Sequence, residues 1–187
     1  MIMKKLLFVI GGAGYIGSHM VKYATKAGYS VVTLDNLSTG HVDAVKYGTF
    51  ELCDLNDSLK LNDLFQKYSP DAVVHFGAAS IVTESIFDPY KYYLNNVVGT
   101  LNLLEAMVTN QCNKMIFSSS ASVYGNPEYI PIDEHHPKKP INPYGKSKLM
   151  AEQILADFDK AYGIKYFVFR YFNAAGHDID GELKERH

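Results

Sequence analysis

The chain has 187 residues, enough for one sizeable domain with its own core. Hydrophobic residues make up 47% and charged residues 20%, with a net charge of −2 and an isoelectric point of about 6.4, the balance of an ordinary soluble globular protein. That balance and the lack of a basic stretch argue against nucleic acid as a partner, and no apolar run is long enough to span a membrane.

Met1-Ile2-Met3-Lys4-Lys5 followed by Leu6–Ile10 starts like a secretory leader, but the apolar run stops at Gly11, too short for an h-region. Lys5–Ile10 is therefore expected to be a buried parallel strand. Ile16, Met20, Ala24 and Ala27 then form a helical stripe ending before Gly28. Ser30–Leu34 and Thr49–Leu52 read as strands, and Asn56–Tyr68 as a second helix. Ala72–Phe76 is a fourth strand. Tyr93, Val97, Leu101, Leu104 and Val108 mark one long third helix. Lys114–Ser118 and Lys165–Phe169 are the last strands. Between them Asn142 is a good N-cap and Pro143 fits the first helical position, so a helix should start there and continue through Ala151, Ile154, Leu155, Phe158 and Tyr162. The strands nearly lack polar alternation, as expected when helices cover both faces. The βα alternation predicts a Rossmann-type doubly wound parallel sheet with right-handed crossovers. Residues 1–176 are expected to form this domain. Residues 177–187 are polar, show no packing pattern and read as the start of a further, substrate-binding region. Cys53 and Cys112 have no metal-ligand spacing and read as reduced thiols in or beside strands, which points to a cytoplasmic setting; no metal is expected.

Gly11-Gly12-Ala13-Gly14-Tyr15-Ile16-Gly17 follows the first strand directly and opens the first helix. Glycines at Gly11, Gly14 and Gly17 let backbone approach a pyrophosphate, and the helix N-terminus supplies N–H groups and positive potential. Asp35 ends the second strand at close to the ~20-residue offset at which an acid binds an adenosine ribose, and its charge would repel a 2′-phosphate, so NAD is favoured over NADP. Asp54 is placed either to meet the adenine end or to cap the next helix. Phe76-Gly77-Ala78-Ala79-Ser80 leaves the fourth strand on the carboxyl side of the sheet, where ligands bind, and its small residues would let a cofactor lie against backbone.

Tyr144 falls in the first turn of its helix and Lys148 lies one turn on, on the same face. A cation close to a phenol favours the phenolate and should lower its pKa toward neutral, so that it can take a proton from a hydroxyl near pH 7. Phe117-Ser118-Ser119-Ser120-Ala121-Ser122-Val123-Tyr124-Gly125 reaches the same edge, where a serine hydroxyl could bond a substrate oxygen.

Together these motifs resemble the extended short-chain dehydrogenase/reductase family, and within it the branch of UDP-hexose 4-epimerases. The closer likeness is carried by Gly12 to His19, Leu34-Asp35-Asn36-Leu37, Tyr92 to Thr100, Phe117 to Gly125, Pro143 to Lys148 and Arg170-Tyr171-Phe172-Asn173-Ala174-Ala175-Gly176. The resemblance implies C4 epimerisation of UDP-glucose and UDP-galactose with NAD, through a 4-keto sugar. In it Tyr144 is the acid/base on the 4-hydroxyl, Lys148 holds the nicotinamide ribose and Ser120 bridges the same sugar oxygen. Tyr15, Ile16, Asn36, Leu55, Ser118, Asn95 and Tyr171 would join the cofactor site, and Asn173 would touch the UDP-sugar phosphates. Asn95 could instead make a helix-interior hydrogen bond, and Asn173 could be a plain turn residue. A 4,6-dehydratase would need an Asp-Glu pair where Ala121 and Ser122 stand. UDP-N-acetylhexosamine or UDP-glucuronate epimerisation, and an NAD-binding module without turnover, remain alternatives. Family members continue into a C-terminal domain, so the chain reads as an N-terminal fragment. The resemblance also implies a homodimer through the third helix and the Tyr144 helix, where Tyr92, Phe158 and Tyr162 would be either interface or core.

Overall fold

The computed structural model describes residues 4–183. Its strands are β1 (Leu6–Ile10), β2 (Ser30–Asp35), β3 (Thr49–Leu52), β4 (Ala72–His75), β5 (Lys114–Ser120) and β6 (Lys165–Tyr171). They form one parallel sheet in the order β3-β2-β1-β4-β5-β6. The strand order reverses between β1 and β4, and in such sheets that switch point is where ligands bind.

The helices are α1 (Tyr15–Lys26), α2 (Ser58–Tyr68), α3 (Val82–Phe87), α4 (Pro89–Tyr93), α5 (Gly99–Thr109) and α6 (Pro143–Tyr162). Several details differ from the sequence reading. The expected long third helix is α4 and α5 joined by a wide π-type turn at Leu94–Val98, and α3 precedes it unforeseen. β5 and β6 run two residues further than their apolar cores, because Ser119 pairs with Arg170 and Ser120 with Tyr171. Asp57 rather than Asp54 caps α2, accepting the Lys60 N–H at 3.0 Å. The start of α6 is as expected: Asn142 Oδ1 accepts the Gly145 N–H at 2.8 Å, and Gly163 closes the helix at φ 74°.

The main core lies between the sheet and α2, α5 and α6, and includes Phe8, Phe65, Leu103, Met107, Phe117 and Leu155. The opposite face is thinner. There α1 sets Val21 and Ala24 against Val9, Val31 and Val74. The expectation of helices over both whole faces fails at β6, whose side chains alternate in exposure; Phe167 is 72% exposed. An apolar hollow of about 1100 Å³, lined by Met20, Tyr23, Val74, Ile116 and Phe167 among others, marks the uncovered area. Tyr92 is fully buried, its one hydroxyl hydrogen shared between the Ile81 carbonyl and the Glu84 carboxylate, so it is core rather than outer face. Phe158 packs against the main core, and Tyr162 is exposed. Both cysteines are free and buried, and burial pushes each thiol up to about 11.

Candidate active site

The glycine loop leaves β1 at the switch point. Gly11 has φ +74°, and a Cβ there would stand 2.6 Å from the Gly77 nitrogen, so the loops after β1 and β4 touch backbone to backbone. Gly14 is the N-cap of α1; no side chain caps this end and no acid lies in the first turn. The first amides of α1 are thus left to an anion, which fits a pyrophosphate. Tyr15 and Ile16 are half-buried at this end of α1.

Asp35 is 9% exposed at the tip of β2. Its Oδ2 accepts the Ala13 N–H at 3.0 Å and its Oδ1 the Leu37 N–H at 2.8 Å, so it braces the glycine loop itself. Asn36 Nδ2 donates to Asp54 Oδ2 at 2.7 Å, tying the ends of β2 and β3. Burial raises the Asp54 carboxyl, but the bonds from Asn36 and Asn56 outweigh it and hold the acid below its ordinary value. Leu55 lies in the core against Gly99, with its carbonyl taken by Asn102 at 3.0 Å. Phe76, Gly77 and Ala78 are half-buried along the edge between these groups and α6.

On the other half of the edge, α6 brings Tyr144 and Lys148 to the end of β5. A Cβ at Gly145 would sit 2.5 Å from the Ser122 carbonyl oxygen, so only glycine lets α6 start this close to β5. Ser120, 8% exposed, accepts the Ser122 N–H at 3.1 Å and lies beside the Tyr144 phenol. Lys148 is 4% exposed; its Nζ donates to the Ser118 carbonyl at 2.8 Å and lies 5.0 Å from the Phe117 ring centroid. The structure therefore brings Ser118, Ser120, Tyr144 and Lys148 together.

The electrostatic expectation for Tyr144 is corrected. Burial raises its phenol above the ordinary value, and the neighbouring Ser120 hydroxyl only partly opposes this. Burial also draws the Lys148 ammonium down to about 7, against the charge of Glu152. Lys148 is therefore only partly charged near neutrality and cannot by itself offset the cost of a buried phenolate.

Two groups of residues escaped the sequence reading. Asn96, not Asn95, carries the cross-links. Its Oδ1 accepts the Ala79 N–H and the Asn95 Nδ2, each at 2.9 Å. Its Nδ2 donates to the Ala79 carbonyl and to Ser147 Oγ, each at 3.0 Å. An Asn-Asn pair inside a helix was the available signal, since such side chains suit helix interiors poorly unless they bond elsewhere. The second group is a buried cluster behind Ser120. Glu152 accepts Ser119 Oγ at 2.6 Å, Arg170 Nε at 2.9 Å and Arg170 Nη2 at 2.8 Å, and Arg170 Nη1 donates to the Tyr124 hydroxyl at 2.9 Å. Tyr171 is half-buried beside Ser120, and Asn173 is exposed just beyond it.

Residues 7–187 match the sequence profile of the NAD dependent epimerase/dehydratase family. The chain belongs to that family. It is 45% identical over 181 residues to a UDP-glucose 4-epimerase of Rhizobium leguminosarum bv. trifolii, covering 97% of this chain and 55% of that protein. It is 49% identical to a UDP-glucose 4-epimerase of Lacticaseibacillus casei, covering 96% and 54%. The crystal structure of the Brucella ovis UDP-glucose 4-epimerase in complex with NAD superposes with a TM-score of 0.96 at 51% identity, over 98% of this chain and 56% of that one. The chain thus spans about half the length of the curated relatives it matches. Among the described residues, no helix is long and apolar enough to cross a membrane.

Proposed function

We propose that this chain carries the NAD site and proton-transfer apparatus of a UDP-hexose 4-epimerase acting on UDP-glucose and UDP-galactose. The observation that carries the reading is the grouping of Ser120, Tyr144 and Lys148 at the same sheet edge as an α1 N-terminus with no side-chain cap. Its relatives of known name support the choice of sugar nucleotide.

NAD, held at the open start of α1, would supply the hydride acceptor for sugar C4 and the donor that returns it to the opposite face. With the positive charge of an oxidised nicotinamide added to that of Lys148, Tyr144 as phenolate would take the proton of the 4-hydroxyl, leaving a 4-ketose, and give it back when the alcohol re-forms, so there is no net redox change. Ser120 holds the same sugar oxygen in line with the phenol. Lys148 would hold the nicotinamide ribose and contribute the part of its charge that burial leaves at neutral pH. Asp35, Asn36 and Asp54 serve the adenosine end, with Asn95 and Tyr171 along the cofactor and Asn173 toward the UDP-sugar phosphates. The protein's contribution is orientation and electrostatics.

A chain extended to the length of its relatives should interconvert UDP-galactose and UDP-glucose. No interconversion by a preparation with NAD bound would overturn the reading. The 187-residue chain should bind NAD yet turn over slowly at most, because it spans only about half the length of its relatives. We also propose a cytoplasmic homodimer pairing through α5 and α6, which is consistent with the partly exposed apolar side chains of Leu101, Met150 and Tyr162; sedimentation would test the dimer.

A further inference from the structure

The segment after β6 joins the two halves of the edge. It follows Tyr171, the last residue of β6, which pairs with Ser120, and its Gly176 carbonyl accepts the Tyr15 hydroxyl at 2.7 Å, next to the glycine loop. From there it is fixed to α1. The Lys22 Nζ lies 2.8 Å from Asp178 Oδ1, 2.7 Å from Asp180 Oδ2 and 3.0 Å from Glu182 Oε2. Lys26 adds a contact of 2.8 Å to Asp180, and the Tyr47 hydroxyl donates to Glu182 at 2.6 Å. The side chains of Lys22 and Asp178 are each 3% exposed, unlike those of Asp180 and Glu182. Asp178 Oδ2 also accepts the Glu182 and Leu183 N–H groups, and the buried Leu183 helps close a recess of about 30 Å³ against Ala13, Gly14 and Tyr15. The three carboxylates are grouped as they would be around a metal ion, but the Lys22 ammonium already bonds all three.

We propose that Lys22 is a positioning residue: by latching residues 172–183 onto α1, it holds them as an outer wall across the switch point that retains the bound dinucleotide. The inference rests on the NAD reading above. The strap begins beside the proton-transfer group and ends beside the pyrophosphate loop, so a dinucleotide lying between those points can leave only when the strap lifts. Removing one partner of a buried ion pair leaves the other charge uncompensated, which favours the lifted state.

The test is release of NADH from the 187-residue chain, followed by stopped-flow fluorescence on chasing with excess NAD⁺, together with limited Asp-N proteolysis of the strap. Lys22→Met should release NADH about tenfold faster, a change of about 1.4 kcal/mol, with association unchanged and Asp178 and Asp180 newly cleavable. Lys22→Arg should restore slow release, which a merely packing role for the side chain would not require. If Lys22→Met does not fold, Asp178→Asn gives the same reading from the other partner. Unchanged release with a cleaved strap would overturn the wall, and a strap still protected in both variants would overturn the latch. A wild-type chain that binds neither NAD⁺ nor NADH would overturn the cofactor reading itself, and the retaining wall with it, before any variant is compared.

Discussion

On the β1–β2 half of the sheet edge, backbone does the holding: Gly11 lies against Gly77, the amides at the start of α1 stay open, and Asp35 spends both oxygens on main-chain N–H groups. On the β5–β6 half, side chains do it: Arg170 and Glu152 support Ser119 and Tyr124 behind the reacting serine, and Asn96 reaches Ser147 across α6. The difference suits the tasks. A pyrophosphate is recognised by amides that any sequence carries, provided nothing blocks them. A proton transfer needs one hydroxyl held opposite another, and that precision comes from packed, fully bonded side chains.

This contrast can be broken from either side. The largest effect is expected from Tyr144→Phe in the extended chain: epimerisation should fall by about 10³-fold while NADH binding is retained, and equal loss of both would mean that the halves are not separable. Glu152→Ala leaves Arg170 in a half-buried site without its counter-charge and should cost about 3 kcal/mol in urea unfolding, a loss typical of a broken buried pair. Gly145→Ala should cost about 1–3 kcal/mol, since the added carbon meets the Ser122 carbonyl. It should also lower turnover more than cofactor affinity.

Another effect depends on pH. Burial lowers Lys148 from 10.5 to about 7 in the folded chain, so between those values the unfolded chain binds a proton that the folded chain does not. Stability attributable to this group therefore rises with pH across that window, by at most about 1.4 kcal/mol per pH unit. Lys148→Met should remove that slope from the unfolding free energy measured between pH 7 and 10; parallel curves for the two proteins would refute it. At the bottom of the scale, Lys139→Ala breaks a pair with Glu128 in which both side chains are well exposed, and the melting temperature should not move measurably.

The backbone-held half was legible in the sequence because glycine has few other reasons to recur between a strand and a helix. The spacing to Asp35 added a second, independent mark. Tyr144, Lys148 and Ser120 were legible as residue types at positions near one edge, yet their electrostatics were not. Whether a phenol is raised or lowered depends on how deeply α6 buries it, and Gly145 alone hardly reveals that. The Glu152–Arg170 cluster was invisible, since two charged residues on separate elements carry no periodic signal. Asn96 was hidden behind its neighbour Asn95 because the wide turn at Leu94–Val98 shifts the helical phase. The docking of residues 176–183 was hidden for a related reason: alternating acids look like a solvated tail until a buried lysine from α1 is set among them.

The uncovered side of β6 has a practical consequence. Among the described residues β6 closes the sheet on one side, with no strand hydrogen-bonded beyond it, and it presents Phe167 and Phe169 to solvent. A free edge beside exposed aromatic rings is a template for strand addition. Handled alone at high concentration, this polypeptide should self-associate through β6, and light scattering would report it. A lysine in place of Phe167 should suppress the association without disturbing an active edge built from the far ends of the same strands.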